Sequence, residues 1–126
     1  MNDVIRVIIA DDHTLFAELL KQALTEGSTT YNFDVVGIAA SGSEALQLVK
    51  NNKPRFVFLD AYILEKDDFA ILKEIKARDK EVKVIAMLPH EYDEYIKHVM
   101  KHGCDGYILK DDAISQFDTM VWRFLN

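Results

Sequence analysis

Short runs of β-branched and apolar residues alternate five times along this chain with stretches whose apolar residues recur at helical spacing. The first run, Val4-Ile5-Arg6-Val7-Ile8-Ile9-Ala10, is nearly continuous in apolar residues, as in a strand buried on both faces. It stops at Asp11-Asp12. From Thr14 the period changes, and Phe16, Leu19, Leu20, Ala23 and Leu24 share one helical face. A second strand is expected over residues 33–39. Ser41-Gly42-Ser43-Glu44 then has the spacing of a capping box, in which Ser41 accepts from the Glu44 amide and Glu44 reaches back to the Ser41 amide. The helix it opens carries Ala45, Leu46, Leu48 and Val49, and Asn51-Asn52-Lys53-Pro54 stops it. The third strand is expected over 55–60. A third helix follows over about 68–78, capped by Asp67 or Asp68, with Phe69, Leu72 and Ile75 on one face. The fourth strand covers 82–88 and the fourth helix about 91–101. Gly103 leads into a short fifth strand, Gly106–Leu109. The last helix, about 112–124, carries Ala113, Phe117, Met120, Val121 and Phe124.

Strict alternation of this kind predicts an α/β domain, a parallel sheet wound on both faces by helices. Ligands of such open sheets bind beyond the carboxyl ends of the strands, which says where chemistry is to be sought. The chain has 126 residues, the size of one domain spanning 1–126, with no repeat, low-complexity tract or linker in its sequence. Hydrophobic residues make up 49% and charged residues 29%, enough to build a core without disulfides or a structural metal. Cys104 is the single cysteine, which excludes an intrachain disulfide and fits a reducing, cytoplasmic setting. It reads as a small buried hydrophobe rather than a catalytic thiol. Met1-Asn2-Asp3 runs straight into the first strand without a secretory pattern, and no apolar run is long enough for a membrane span. The net charge of −6 argues against this domain gripping nucleic acid by itself.

The strand ends deliver a pointed set of side chains: Asp11 and Asp12 from the first, Asp60 from the third, Lys110 from the fifth. Carboxylates converging on one rim repel one another unless a cation joins them. Oxygen ligands of this kind suit Mg²⁺, which keeps several waters and leaves room for a phosphate. Lys110 adds a point charge able to hold a phosphoryl oxygen. An acidic nucleophile, a hard-metal cradle and a cation are what phosphoryl transfer to an aspartate requires. Taken singly, the acidic pair could be helix caps, Asp60 the start of a turn and Lys110 a surface lysine. Their occurrence at successive ends of one sheet favours the joint reading.

Over essentially its whole length the chain resembles the receiver domains of bacterial two-component response regulators. Ile9-Ala10-Asp11-Asp12-His13 resembles the acidic-pair motif, in the form found in the branch with a LuxR-type helix-turn-helix output domain. Phe58-Leu59-Asp60 resembles the strand ending in the phospho-accepting aspartate. Gly103-Cys104-Asp105-Gly106-Tyr107-Ile108-Leu109-Lys110-Asp111 resembles the fifth-strand motif with its lysine. The resemblance implies a flavodoxin-like (βα)₅ fold with strand order 2-1-3-4-5. It makes Asp60 acceptor and metal ligand, Asp12 a direct ligand of Mg²⁺, Asp11 a ligand through water, and the main-chain carbonyl of Tyr62 a further ligand. Lys110 is given to the phosphoryl group, and Tyr107 is the switch aromatic. A histidine kinase is the implied partner, with a homodimer possible through the face of the fourth helix, fifth strand and fifth helix.

Two departures stand out. Receivers usually end the fourth strand in Thr or Ser, whose hydroxyl bonds the phosphoryl group; here Leu88 stands there, with Pro89 stiffening the loop that follows. A hydrogen bond to a charged group contributes on the order of 1.5–3 kcal/mol, and its loss would uncouple Tyr107. After Asp60 the usual Met-Pro and, at the eighth position, Gly are replaced by Ile63, Leu64 and Asp68. The chain thus reads as an atypical receiver that keeps its metal pocket and switches weakly or by another route.

Among the remaining features, His98 and His102 at i, i+4 have the spacing of a zinc pair but read better as a solvated helix face. His13 follows the acidic pair at a helix entry. His90 and Tyr62 flank the pocket in the resemblance, where such positions tune phosphoryl lifetime. Trp122 falls off the apolar stripe of the last helix and is a candidate anchor for a partner. The function expected is phosphorelay signalling rather than metabolic catalysis, regulating transcription through an output domain outside this sequence. The rival is a phosphorylation-independent pseudo-receiver used for binding or dimerisation. A haloacid-dehalogenase-like hydrolase is disfavoured, because Tyr62 stands where that chemistry wants a second aspartate.

Overall fold

Five strands, β1 (Val4–Ala10), β2 (Asn32–Ala39), β3 (Phe56–Asp60), β4 (Lys83–Leu88) and β5 (Gly106–Leu109), form one parallel sheet in the order β2-β1-β3-β4-β5. The computed structural model describes residues 4–27 and 30–125, so Met1-Asn2-Asp3 lies outside the described residues. Among the described residues, six helices join or follow the strands: α1 (Thr14–Glu26), α2 (Gly42–Asn52), α3 (Ala61–Lys66), α4 (Ala70–Arg78), α5 (Asp93–Lys101) and α6 (Ala113–Leu125). A 3₁₀ turn, Lys110–Asp112, precedes the last. Strand order and winding are those expected; α3 is an addition, and the helix expected over 68–78 begins only at Ala70.

The two-residue period of the strands sorts the core into two layers. Ile5, Val7 and Ile9 of β1, Phe56 and Phe58 of β3, Ile85 and Met87 of β4 and Ile108 of β5 meet α1 and α6. Ile8, Ala10, Val57, Leu59, Val84, Ala86 and Leu88 face the layer of α2 to α5. Phe58 and Phe117 lie with ring centroids 3.9 Å apart in the first layer. The same parity carries past the strand ends. Asp11 continues the Ile5-Val7-Ile9 series, Asp60 the Phe56-Phe58 series and Lys110 follows Ile108 by two. Leu88 belongs to the opposite series, which is why the acidic rim and the end of β4 sit in different packing environments.

Caps show where local chemistry agrees with the sequence and where it does not. Ser41 Oγ accepts from the Glu44 amide at 3.2 Å, but the Glu44 carboxylate returns to the Ala40 amide rather than that of Ser41. Neither Asp67 nor Asp68 caps α4 with its side chain: the N-cap is Phe69, with no side-chain bond. Asp68 and Phe69 instead have φ of 54° and 65°, left-handed values that side chains rarely adopt. These two residues lie between the end of α3 and the start of α4 and carry the change of direction there. The buried Phe69 ring holds it in place.

Candidate functional site

Because their strands share parity, Asp11, Asp60 and Lys110 converge beyond the sheet. The Lys110 ammonium lies 2.6 Å from Asp11 Oδ2 and 3.0 Å from Asp60 Oδ1. Asp11 and Asp60 are buried while Asp12 faces solvent. Asp11 is further fixed by its neighbours: its amide donates to the Ala39 carbonyl and its Oδ1 accepts from the His13 amide, both within 2.9 Å. His13 thus meets the acidic pair through its main chain while opening α1, without a side-chain cap. The lysine ammonium also lies 4.7 Å from the centre of the Phe16 ring, so α1 supplies a cation–π wall behind it.

The charges are unbalanced in a useful way. Burial holds the Asp60 carboxyl above its ordinary value, and the negative charges of Asp11 and Asp12 add to this against the pull of Lys110. Burial works against the charged form of Lys110, but bonds to Asp11 and Asp60 outweigh it and hold the ammonium above its ordinary value. Lys110 is therefore shared between Asp11 and Asp60, while Asp12 adds a further negative charge to the rim. Ligand oxygens of Asp11, Asp12 and Asp60 lie within 4.8 Å of one another. An octahedral ion with bonds of about 2.1 Å spans its opposite ligands by about 4 Å, so this all-oxygen set fits Mg²⁺ with little closure. Asp12 and Asp60 are the residues that would hold it, with Asp11 beside them bonded to Lys110.

Tyr62 lies in the first turn of α3. Its amide donates to Asp60 Oδ2 at 3.2 Å. Asp60 is thus the N-cap of α3. The run Ala61-Tyr62-Ile63-Leu64-Glu65-Lys66, free of proline and glycine, carries the signal for this helix. With Pro at the usual place the run could not have closed its turns.

The other pocket residues separate from this core of charges. Leu88 is fully buried in the apolar layer under α2 to α5, paired with Leu109 on β5. Pro89 and His90 are exposed, His90 lying 5.5 Å from the Tyr92 ring. Tyr107 is half-buried on β5, lining a cavity of about 250 Å³ with Gln116, Thr119, Met120 and Arg123 of α6. Trp122 is 59% exposed on α6. His98 and His102 do not pair as metal ligands: His102 Nδ1 bonds the His98 carbonyl at 2.9 Å, and its ring stacks on Phe69. Burial pushes the Cys104 thiol up to about 12, leaving it inert.

Comparisons with known proteins bear on the family and the fold. A family model described as the response regulator receiver domain matches residues 7–121. The transcriptional regulatory protein DegU of Brevibacillus brevis is 31% identical over 107 residues, 85% of this chain and 44% of that protein. HptR of Staphylococcus aureus is 29% identical over 120 residues, 95% of this chain and 46% of that one. The chain spans about half the length of the curated relatives it matches. Among solved structures, the signal receiver domain of NarL from Mycobacterium tuberculosis superposes with a TM-score of 0.80 at 27% identity, covering 97% of this chain and 96% of that one. A LuxR-family DNA-binding response regulator from Staphylococcus aureus shares the fold, with a TM-score of 0.79 at 22% identity over 97% of this chain and 99% of that one. Among the described residues no helix is long and apolar enough to cross a membrane.

Proposed function

The chain belongs to the response regulator receiver domain family, and from that premise we propose that Asp60 accepts a phosphoryl group from a histidine kinase and so changes the domain's protein contacts. The observation that carries this reading is the convergence of Lys110 on Asp11 and Asp60 at 2.6 and 3.0 Å. An Asp60 carboxylate oxygen attacks the phosphorus of the donor, the P–N bond to the donor imidazole breaks, and the imidazole keeps the electron pair and takes up a proton. Mg²⁺ would neutralise the phosphoryl oxygens during transfer. Asp12 and Asp60 would hold it, and Asp11 orients Lys110, whose ammonium is close enough to transfer its bond from Asp60 to a phosphoryl oxygen. Burial of Asp60 keeps bulk water from competing with the donor.

The product is the modified domain itself, so the activity is signalling rather than metabolic catalysis. The setting we assign is cytoplasmic, with transcription controlled through an output domain such as the LuxR-type helix-turn-helix. The face of α5, β5 and α6, where Tyr107 and Trp122 lie, is the surface for a partner or a second copy, and nucleic acid contact is left to the output domain. The test is intact-protein mass after incubation with acetyl phosphate and Mg²⁺. One phosphoryl group is expected on the wild type and none on Asp60→Asn. Absence of any adduct, also with a cognate kinase, would favour the second reading, a phosphorylation-independent binding module. Leu88 supports that rival, since it gives the phosphoryl group no hydroxyl partner at the end of β4.

A further inference from the structure

At the end of β4 the chain has no hydroxyl with which to report the state of Asp60, yet the segment that starts at Asp60 is fastened to α5 at two points. The first is polar. Glu65 of α3 accepts a hydrogen bond from the Tyr95 hydroxyl through Oε2 at 3.2 Å, and its Oε1 lies 3.9 Å from His98 Nε2. Burial and the adjoining Glu65 charge push the Tyr95 hydroxyl up to about 12, so it stays a donor at neutral pH. The second is aromatic. The buried Phe69 ring stacks on His102 with centroids 3.9 Å apart and planes 8° from parallel, and meets His98 edge-on at 5.6 Å. Phe69 takes its left-handed backbone at the N-cap of α4, which sets its ring at the joint between α3 and α4.

The other end of α3 is held by Asp60, whose Oδ2 accepts the Tyr62 amide. A helix of six residues has few internal bonds to compensate for its nucleation, and it depends on its cap. A carboxylate that takes up a phosphoryl group or a divalent cation has lone pairs redirected to the new partner, and the Tyr62 amide competes with it. We propose that Glu65 and Phe69 are positioning residues that carry the state of Asp60 through α3 to α5, a route that replaces the missing hydroxyl at Leu88. The route rests on Asp60 being the group that changes state, as proposed above. It runs through α3 and leaves β4 out, so it predicts that α5 responds while Leu88 and Pro89 stay in place.

The test reads the imidazole C–H resonances of His98 and His102 by NMR in the whole chain. The Asp60→Ala variant removes the acceptor of the Tyr62 amide, whereas Asp60→Asn keeps a carbonyl oxygen for it. Without any phosphodonor, Asp60→Ala is expected to shift both histidines and Asp60→Asn to shift them much less. Adding Glu65→Gln, or Tyr95→Phe, to Asp60→Ala is expected to cut the shift to under half. In the wild type, acetyl phosphate with Mg²⁺ is expected to move the same two resonances in proportion to the adduct seen by mass, and Glu65→Gln to leave the adduct yield unchanged while reducing the response. Histidine signals that ignore Asp60→Ala, or that respond equally with and without Glu65, would overturn the route. A missing adduct with an intact Asp60→Ala response would overturn phosphorylation of Asp60 and leave the mechanical link standing.

Discussion

The two halves of the pocket rim are built on different physics. On one side, Asp11, Asp60 and Lys110 sit at strand ends of equal parity and are held by charge, with Lys110 shared between two buried carboxylates. On the other, the end of β4 is closed by a fully buried Leu88, and the segment after Asp60 is wound into α3 instead of an open loop. Charge placement tolerates little change, since removing one partner strands another in a buried site. Apolar and aromatic packing can be rearranged while the core stays filled. On the function proposed above, the difference teaches that accepting a group and reporting it are separable demands on this fold, and that the departures fall on the second.

The largest effect is expected from Lys110→Ala. The ammonium's removal leaves Asp11 and Asp60 facing each other unpaired, at a loss of about 3 kcal/mol of stability. Phosphoryl acceptance is expected to fall about 100-fold, the scale for losing one preorganised electrostatic partner. Denaturant melts and the rate of adduct formation check the two parts separately. Melts showing stability unchanged would break the comparison at its first term, since the rim would then not be held by charge.

Leu88→Thr comes next and probes the second term. Exchanging a fully buried leucine for a smaller, polar side chain is expected to cost about 2 kcal/mol. A hydroxyl directed at a charged phosphoryl group repays about 1.4 kcal/mol, read as adduct formation about tenfold faster. If the rate does not rise, the threonine side chain has stayed in the layer under α2 to α5, and the β4 end is more deeply committed to packing than the comparison states.

Metal binding tests whether the rim lacks a cation. Asp60 has a folded-state value above its ordinary 3.8, so it binds a proton more tightly folded than unfolded. Its contribution therefore favours the fold in acid and is lost as pH rises from 3.8 through the raised value. At neutral pH the carboxylates of the rim repel one another, and a bound Mg²⁺ would relieve that repulsion. Mg²⁺ at ten times its Kd is expected to add about 1.4 kcal/mol, about 5 °C in Tm, at neutral pH. The gain is expected to shrink as the pH approaches that of the protonated carboxyl. Asp60→Asn is expected to raise Tm without metal and to abolish most of the Mg²⁺ response.

The sequence was most legible where periodicity and charge coincide. Continuous apolar strands, the helical stripes and the residues at the strand ends are local patterns, and parity alone brings Asp11, Asp60 and Lys110 to one place. What escaped depends on competition between neighbours. The absence of proline and glycine after Asp60 was visible, but that Ala61 to Lys66 would close helical turns depends on Asp60 being free to cap them. The capping role expected of Asp67 or Asp68 failed because the backbone turns left-handed at Asp68 and Phe69, and α4 starts after Phe69 without a side-chain cap. The links from Glu65 to Tyr95 and from Phe69 to His102 join residues about thirty apart in the chain, and no local pattern encodes them.

The smallest expected effect lies at that reversal. Asp68 stands at φ 54°, at the position where receivers usually carry glycine. An aspartate tolerates the left-handed region better than most residues, so the strain is modest, about 1 kcal/mol. Glycine removes it but gains freedom in the unfolded chain, which takes back part of the benefit. Asp68→Gly is therefore expected to stabilise by about 0.5 kcal/mol, a rise of about 2 °C in Tm by thermal melt. The more telling consequence is dynamic. A glycine beside Phe69 softens the joint between α3 and α4, so the histidines of α5 are expected to respond less to loading of Asp60 while the adduct forms normally. A destabilised Asp68→Gly with an undiminished α5 response would mean that the aspartate itself holds the turn, and that Phe69 is positioned by its packing against His102 alone.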